Sequence, residues 1–415
     1  MKQSALFTKA SKESPKDETS INAKLLIRAG FINKEMAGVY TILPLGLRVM
    51  KKIEQIIREE MNNIGGQEIY MPSLNPKENW EKTGRWSTMT DLYKIKDLSD
   101  REYALAPTHE EIVAPLVKKF ANSYKDLPVY VYQFQNKFRM ELRAKSGILR
   151  AREFIMKDFY SFHLSENDLN EYYERAKNAY IVIFERCGIG ALTHVTFASG
   201  GSFSKYSHEF QTITKFGEDI IYICTKCALA INKEIKPGIE ECPDCGGKEF
   251  KEEKAVEVGN IFKLQNKYTA PFDFSVLDEK GQKKEVIMGC YGMGLGRVMG
   301  TIVECFNDEK GMIWPEEVAP FKVHILSLNQ NKESEKIYEL LLKNNIETLF
   351  DDRDSTAGVK FAEADLFGIP YQVIVSEKNL KESKLEIKER KSGNISYIDM
   401  DNKKILEFFR DQRKS

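Results

Sequence analysis

Uninterrupted apolar sequence is scarce in this 415-residue chain. No window approaches the roughly 18 consecutive apolar residues that a membrane span needs, so no membrane partner is expected. The opening stretch, MKQSALFTKASKESPKDETS, holds no apolar signal core. Glu13, Asp17 and Glu18 within it do not suit a mitochondrial transit peptide, and the expected localisation is cytoplasmic. Net charge is lacking too, because 62 Lys and Arg balance 62 Asp and Glu. Bulk attraction to nucleic acid is thereby excluded, and any RNA contact must come from local patches. Cysteine is sparse and odd in number, at seven. Without a secretion signal that argues for reduced thiols rather than disulfides. Cys187, Cys290 and Cys305 are isolated, while Cys224, Cys227, Cys242 and Cys245 form two CxxC pairs.

What is present suffices for large cores. The chain is 42% hydrophobic, which at this length predicts two or three domains. Leu47, Met50, Ile53, Ile57, Met61 and Ile64 recur at helical spacing, and Gly65-Gly66 ends the run. A short strand over Gln67–Met71 stops at Pro72. A second long helix is expected over 166–186, with Ser165 and Asp168 suited to a capping box and Gly188 to the stop. Residues 130–141 alternate, with Gln133, Gln135, Lys137, Arg139 and Glu141 on one side and Tyr132, Phe134, Phe138 and Met140 on the other. That is a half-buried strand with an unusually polar working face, and 152–162 reads as its return partner. Ile313–Pro320 reads as a domain junction. Beyond it, strands at 322–328, 346–350 and 371–375 alternate with helices at 333–345 and 357–367, a small α/β domain.

Two segments carry chemistry. In Phe138-Arg139-Met140-Glu141, Arg139 and Glu141 point the same way, and the Arg fork suits a phosphate and a carboxylate oxygen together. Glu141 suits an amine such as that of adenine. Arg150, Arg152 and Phe154 share parity on the return strand, where an aromatic ring would stack on a purine. A surface hairpin with solvated charges is the competing reading. In Val286–Arg297, VIMGCYGMGLGR, an apolar strand runs into Gly292, Gly294 and Gly296. Arg297 then falls in a first helical turn, where N–H groups favour anions. The sequence is neither a Walker loop nor a GxGxxG fingerprint.

Together these segments resemble motifs 2 and 3 of class II aminoacyl-tRNA synthetases, and the helix and strand before Pro72 resemble motif 1. The stretches RAGFINKEMAGVYTILPLGLRVMKKIE, PTHEE, QFQNKFRMELRAKSGILRAREFIMKDFYSFH, SHEFQ, MGCYGMGLGR and WPEEVAPF are similar to bacterial prolyl-tRNA synthetases from about residue 20 onward. The resemblance implies an α/β (α+β) architecture. An antiparallel-sheet catalytic domain would occupy 1–320, with motif 1 near 38–72, motif 2 near 130–162 and motif 3 near 286–306. An α/β anticodon-binding domain would occupy 321–415. Relatives charging threonine, serine, glycine or histidine lack the combined THEE, SHEFQ and GCYG patterns. A non-catalytic paralogue would be marked by a lost motif arginine, yet Arg139, Glu141, Phe154 and Arg297 are all present.

The resemblance also implies residue roles, with L-proline, ATP and tRNA(Pro) as ligands. Arg139 would bridge the proline carboxylate and the α-phosphate, and Arg297, assisted by Arg150, would hold the γ-phosphate. Phe154 would stack on adenine and Glu141 would bind its amino group. Mg2+ would accompany the phosphates. Glu110, in Thr108-His109-Glu110, would meet the secondary ammonium of proline. Thr108 with Glu111 also fits a helix capping box, which would leave Glu110 free. His208 would lie against the proline ring, Gln211 and Thr212 near the ribose, and Cys290 would line the pocket or pack as a small residue. His109, His163, His194 and His324 are expected to be structural. Arg353 and Lys360 are candidates for anticodon contacts, and motif 1 for a homodimer interface.

One departure from the family is plain. Its common long form carries an editing insertion between motifs 2 and 3, whereas here SHEFQTITKFGEDIIYICTKC runs almost directly into AVEVGNIFKL. A separate deacylase acting in trans is the expected remedy. The gap, 221–250, instead holds Cys224, Cys227, Cys242 and Cys245, which suit a structural Zn2+ knuckle against the alternative of free thiols.

Overall fold

The computed structural model describes residues 1–15, 18–142, 144, 146–200 and 206–411. The final residues of the expected 321–415 domain, 412–415, lie outside these. The chain forms two compact units. One comprises Met1–Lys34, Thr41–Lys52 and Ile302–Ser415, the other Glu35–Tyr40 and Ile53–Thr301. This division cuts across the 1–320 and 321–415 partition, because the N-terminal residues have partners late in the chain. Lys2 bridges to Phe350, Asn22 Nδ2 donates to Glu304 at 2.6 Å, and the Phe31 ring stacks on Trp314 at 5.7 Å.

The larger unit follows the periodicities. Helix α1 (Pro44–Asn63), whose residues up to Lys52 count with the smaller unit, begins at a proline, which suits a first turn, and stops before Gly65, whose φ of +88° a side chain would resist. The strand after it is only β1 (Gln67–Glu68). Short helices α2 (Lys77–Lys82) and α3 (Arg85–Thr88) precede α4 (Glu110–Lys118). The alternating segment forms β2 (Val129–Phe138), paired antiparallel with β3 (Glu153–His163). Helix α5 (Glu166–Arg186) follows, and Ser165 Oγ accepts from the Asp168 N–H. Only that half of the capping box forms, since the Asp168 carboxylate turns to His163 Nδ1 at 2.7 Å.

Next come β4 (Thr193–Ser199), β5 (Tyr206–Ile213), β6 (Asp219–Cys224), β7 (Ala230–Asn232), β8 (Phe250–Gln265) and β9 (Ile287–Gly294), then α6 (Leu295–Cys305). Among the described residues these strands make one nine-stranded sheet, ordered β5-β4-β7-β6-β8-β9-β3-β2-β1, with β5 also pairing β8. Strand β8 changes partner at Ala255, which pairs with Ile213 on β5 and Asp219 on β6. The β5–β6 turn lies so close that a Cβ on Gly217 would come 2.3 Å from the Ala255 carbonyl oxygen.

The two faces of this sheet differ. Helix α5 covers one, burying Leu169, Tyr172, Tyr173, Ala176, Tyr180, Ile183 and Phe184 at helical spacing. Tyr132 stacks on Phe159 at 5.7 Å, and Tyr172 on Phe159 at 5.9 Å. Register places Lys137, Phe154, Asp158, Tyr160, Cys290 and Gly292 together on the other face. The polar side of β2 is therefore an interior one, with Gln133, Gln135 and Lys137 all buried. The solvated-hairpin reading does not hold there.

In the smaller unit β10 (Val323–Ser327), β11 (Thr348–Asp351), β12 (Tyr371–Val375), β13 (Lys384–Glu389) and β14 (Ile395–Asp399) form a sheet ordered β11-β10-β12-β13-β14. The first three strands are parallel, with α7 (Asn331–Lys343) and α8 (Ala357–Phe367) between them. Its core joins Val323, Ile325, Ile337, Leu341, Phe350 and Val373. The α/β pattern is as expected, extended by the antiparallel β13 and β14 and by a last helix, α9 (Asn402–Asp411).

Candidate functional site

Strand β2 ends at Phe138, and the turn after it swings Arg139 over the end of β3. The Arg139 N–H donates to the Arg152 carbonyl at 2.9 Å, and its guanidinium lies 5.3 Å from the Phe154 ring centroid. Arg139 Nη2 also donates to the Pro107 carbonyl at 3.3 Å. Burial, then the nearby Arg297, pulls the Arg139 pKa below the ordinary arginine value. Two guanidinium groups that act on each other, one of them half-buried, suit an anion.

Arg139 opens on a cleft of about 640 Å³ lined also by Glu141, Arg150, Phe154, Glu257, Asn260 and Arg297. Its floor is the glycine strand β9. A Cβ on Gly292 would lie 2.8 Å from Asn260 Oδ1 and close part of the cleft. Arg297, in the first turn of α6, ion-pairs with Glu257 at 3.0 Å, and Arg150 with Glu141 at 2.7 Å. Arg139, Glu141, Arg150, Phe154 and Arg297 thus converge as the sequence implies. Gln211 reaches the neighbouring network, where its Nε2 donates to Glu209 Oε2 and Asp219 Oδ2, both at 2.9 Å. The carboxylates of Glu209, Asp219 and Glu257 act on one another there, and burial and Glu257 push the Glu209 carboxyl up to about 8. These oxygens suit a hard divalent cation.

Behind Arg139 lies a buried cluster of polar side chains. Thr108 Oγ1 donates to both Glu110 oxygens, at 2.8 and 2.7 Å, and Cys290 Sγ is 3.5 Å from Glu110 Oε1. No capping box forms at α4: the N-cap is His109, without a side-chain cap, and Glu111 points inward to Thr83 and Arg85. Beside the pocket Lys137 Nζ reaches Asp158 Oδ1 and His109 Nδ1, each at 2.7 Å. Tyr160 OH donates to Asp158 Oδ2 at 3.0 Å and accepts from the His109 backbone N–H. Burial, with Lys137 next to it, pulls the His109 ring down to about 4, so it stays neutral. It accepts from Lys137 and donates Nε2–H to the Pro72 carbonyl. The expectation of a structural His109 fits this role.

Several expected residues go elsewhere. His208 pairs in register with Ile261, which faces α5, so its Nδ1 meets Tyr173 OH at 2.8 Å rather than the Glu110 pocket. Thr212 turns to Thr193 Oγ1 at 2.8 Å. Lys360 is only 2% exposed and donates to the Ser327 and Asp351 carbonyls, leaving nothing for RNA. Arg353 pairs with Asp351 and Glu363, both at 2.8 Å. Sequence reasoning missed Arg85, Asp158 and Glu257, and gave Glu111 a capping role in place of its contacts with Thr83 and Arg85. Lys137 and Asp158 share one face of the β2–β3 pair, opposite Phe154 and Gln133 respectively, and the alternation of both strands already held that shared face.

The Cys224, Cys227, Cys242 and Cys245 thiols gather where β6 ends, their Sγ atoms all within 4.8 Å of one another. A tetrahedron of Zn–S bonds of about 2.3 Å has edges of about 3.8 Å, so four sulfurs at this spacing fit zinc.

A family model described as the tRNA synthetase class II core domain (G, H, P, S and T) matches residues 93–306, and an anticodon binding domain matches 322–412. A proline--tRNA ligase from Caldicellulosiruptor bescii is 33% identical over 557 residues, covering 97% of each chain. One from Thermosipho melanesiensis is 34% identical, covering 98% of each. Both alignments are longer than this chain, so those relatives carry sequence that it lacks. The crystal structure of a prolyl-tRNA synthetase from Cryptosporidium parvum, complexed with L-proline and AMP, shares the fold, with a TM-score of 0.75 at 18% identity over 95% of this chain and 74% of that one. With the core match over 93–306, the anticodon-binding match over 322–412 and a third of the residues shared across its length, the chain belongs to the proline--tRNA ligases among the class II aminoacyl-tRNA synthetases.

Proposed function

We propose that the chain activates L-proline with ATP and transfers the prolyl group to the terminal adenosine of tRNA(Pro). The observation that carries this is the convergence of Arg139, Arg297 and Phe154 on one cleft, with Glu110 behind Arg139. The proline carboxylate attacks the α-phosphorus and pyrophosphate leaves. That carboxylate is already ionised, so no general base is needed, and catalysis is positioning plus charge stabilisation. Arg139 bridges the carboxylate and the α-phosphate. Arg297 and Arg150 leave Glu257 and Glu141 for the outer phosphates, which frees Glu141 for the adenine amine stacked on Phe154. Glu110 receives the proline ammonium, with Thr108 and Cys290 at its sides. Glu257 and Asp219 would hold Mg2+, which would supply neutralisation of the phosphate charge. His208 and Thr212 support the sheet in this reading. The catalytic part is 1–320 and the anticodon-binding part 321–415; the protein works in the cytoplasm as a homodimer joined through motif 1.

Pyrophosphate exchange across the twenty amino acids tests the assignment. Proline dominates and alanine comes second, because a pocket rejects a smaller ligand only weakly. Dominance by threonine or serine overturns it. Only residues 214–249 separate β5 from β8, too few for an editing domain. Alanyl-tRNA(Pro) therefore persists with this enzyme alone and depends on a separate deacylase; rapid deacylation by the purified chain would refute that. The four-cysteine site takes one structural Zn2+ per chain, with no open position for chemistry. Metal analysis under reducing conditions returning well under one zinc removes this part of the proposal.

A further inference from the structure

Glu110 does not stand alone. The chain turns at Gly84, with φ +73°, and Arg85 points inward at the start of α3. Its Nη1 lies 3.1 Å from Glu110 Oε2, and 3.1 and 3.2 Å from the two Glu111 oxygens. The guanidinium sits 5.2 Å from the Trp80 ring centroid and 5.3 Å from that of Tyr268. Both carboxylates are completely buried, and Arg85 nearly so. Thr83 Oγ1 donates to Glu111 at 2.9 Å, and Thr108 Oγ1 to Glu110. The other titratable groups acting on the pair are Cys290 on β9, Tyr160 on β3, Tyr268 after β8, and, on Glu110, the cations of Arg139 and Lys137 and the ring of His109. Asp158, Lys137 and His109 are engaged with one another.

The charges of this pocket do not cancel. The Lys137–Asp158 pair balances itself. With both carboxylates ionised, Glu110, Glu111 and Arg85 carry one net negative charge, buried from solvent. One incoming cation completes it. Two adjoining buried carboxylates without the guanidinium cannot both ionise, and they would share a proton.

We infer that Arg85 is the positioning residue that tunes this pocket to a single ammonium, aiming Glu110 while countering the charge of Glu111. The inference rests on the reading of Glu110 as the partner of the proline ammonium. Glu111 is the counterweight, and burial already pushes its carboxyl up to about 7 even beside Arg85.

Pyrophosphate exchange on the full chain, with proline and ATP varied separately, tests this through Glu110→Gln, Arg85→Met, Glu111→Gln and the double variant Arg85→Met/Glu111→Gln. Arg85→Met raises the KM for proline roughly 10- to 100-fold, the scale of one lost charged hydrogen bond, and leaves the KM for ATP within about twofold. Its kcat/KM for proline recovers as pH rises beyond about 7, because Glu111, no longer held down by the guanidinium, gives up its proton only there. Glu111→Gln, which keeps the guanidinium and its packing, also raises the KM for proline, by about tenfold, since the net negative charge is gone. The double variant restores one negative charge and binds proline better than either single variant. A double variant no better than Arg85→Met, or equal rises in both KM values, overturns the inference. So does an unchanged KM for proline in Glu111→Gln, which remains decisive if Arg85→Met does not fold. Glu110→Gln separates the two ideas: an unchanged KM for proline there refutes the reading of Glu110 itself, whereas a raised KM there with unresponsive Arg85 and Glu111 variants refutes only the inference.

Discussion

Arg139→Ala lowers proline-dependent pyrophosphate exchange by about 1000-fold, the upper end of what one lost charge-stabilising donor costs. The effect falls mainly on kcat. Arg139 meets both reacting groups, and its share of stabilisation grows as the pentacoordinate phosphorus gathers charge. The fold tolerates the change. The side chain has the Pro107 carbonyl and the Phe154 ring as partners, and burial beside Arg297 already works against its charge. Thermal unfolding should therefore stay near that of the parent chain. Arg139→Lys recovers little, since an ammonium has no planar fork to span a carboxylate and a phosphate. A kcat within tenfold of the parent in Arg139→Ala overturns the role.

The site was legible where chemistry and periodicity coincide along one strand. Arg139 and Glu141 were found because the alternation of β2 runs on past its end at Phe138, and Phe154 because β3 pairs back on β2, opposite Lys137. Arg297 was found because a glycine strand leads straight into a helix. Arg85 was not. It sits in a four-residue helix with no period to read, and its partners Glu110 and Glu111 are about 25 residues away, so only the fold brings them together. His208 shows the opposite limit. Its motif was visible, but which face of β5 it occupies depends on the register with β8, and sequence does not give that register. Lys360 failed for a related reason: it lies one turn into α8, where the helix covers the carbonyls of β10 and β11, and the ammonium serves those instead of solvent. The division into units was hidden as well, because the first residues of the chain find their partners near 304 to 350.

Lys137→Met is the second large effect, and it falls on stability. Lys137, Asp158 and His109 form one buried chain, with Lys137 Nζ at 2.7 Å from each neighbour. Burial alone would raise the Asp158 carboxyl, but Lys137 and His109 outweigh it and hold it below the ordinary value. Removing the ammonium leaves that carboxylate with Gln133 and Tyr160 as donors in a dry interior. Breaking one half of a buried pair costs about 3–5 kcal/mol. For a unit of this size that is a fall of roughly 10 °C in unfolding temperature. Adding Asp158→Asn to the variant recovers part of the loss, because the stranded charge disappears with its partner. Acid approaches the same network through His109. Its folded pKa, about 4, lies below the unfolded value, so the unfolded chain binds the extra proton first. Stability is complete above about pH 6.5 and is lost progressively down to about pH 4, by roughly 3 kcal/mol from this ring. Denaturant unfolding of the parent chain at pH 7 and pH 5 should show that loss, and His109→Gln should show less of it. An equal pH dependence in the two proteins would mean that His109 does not carry it.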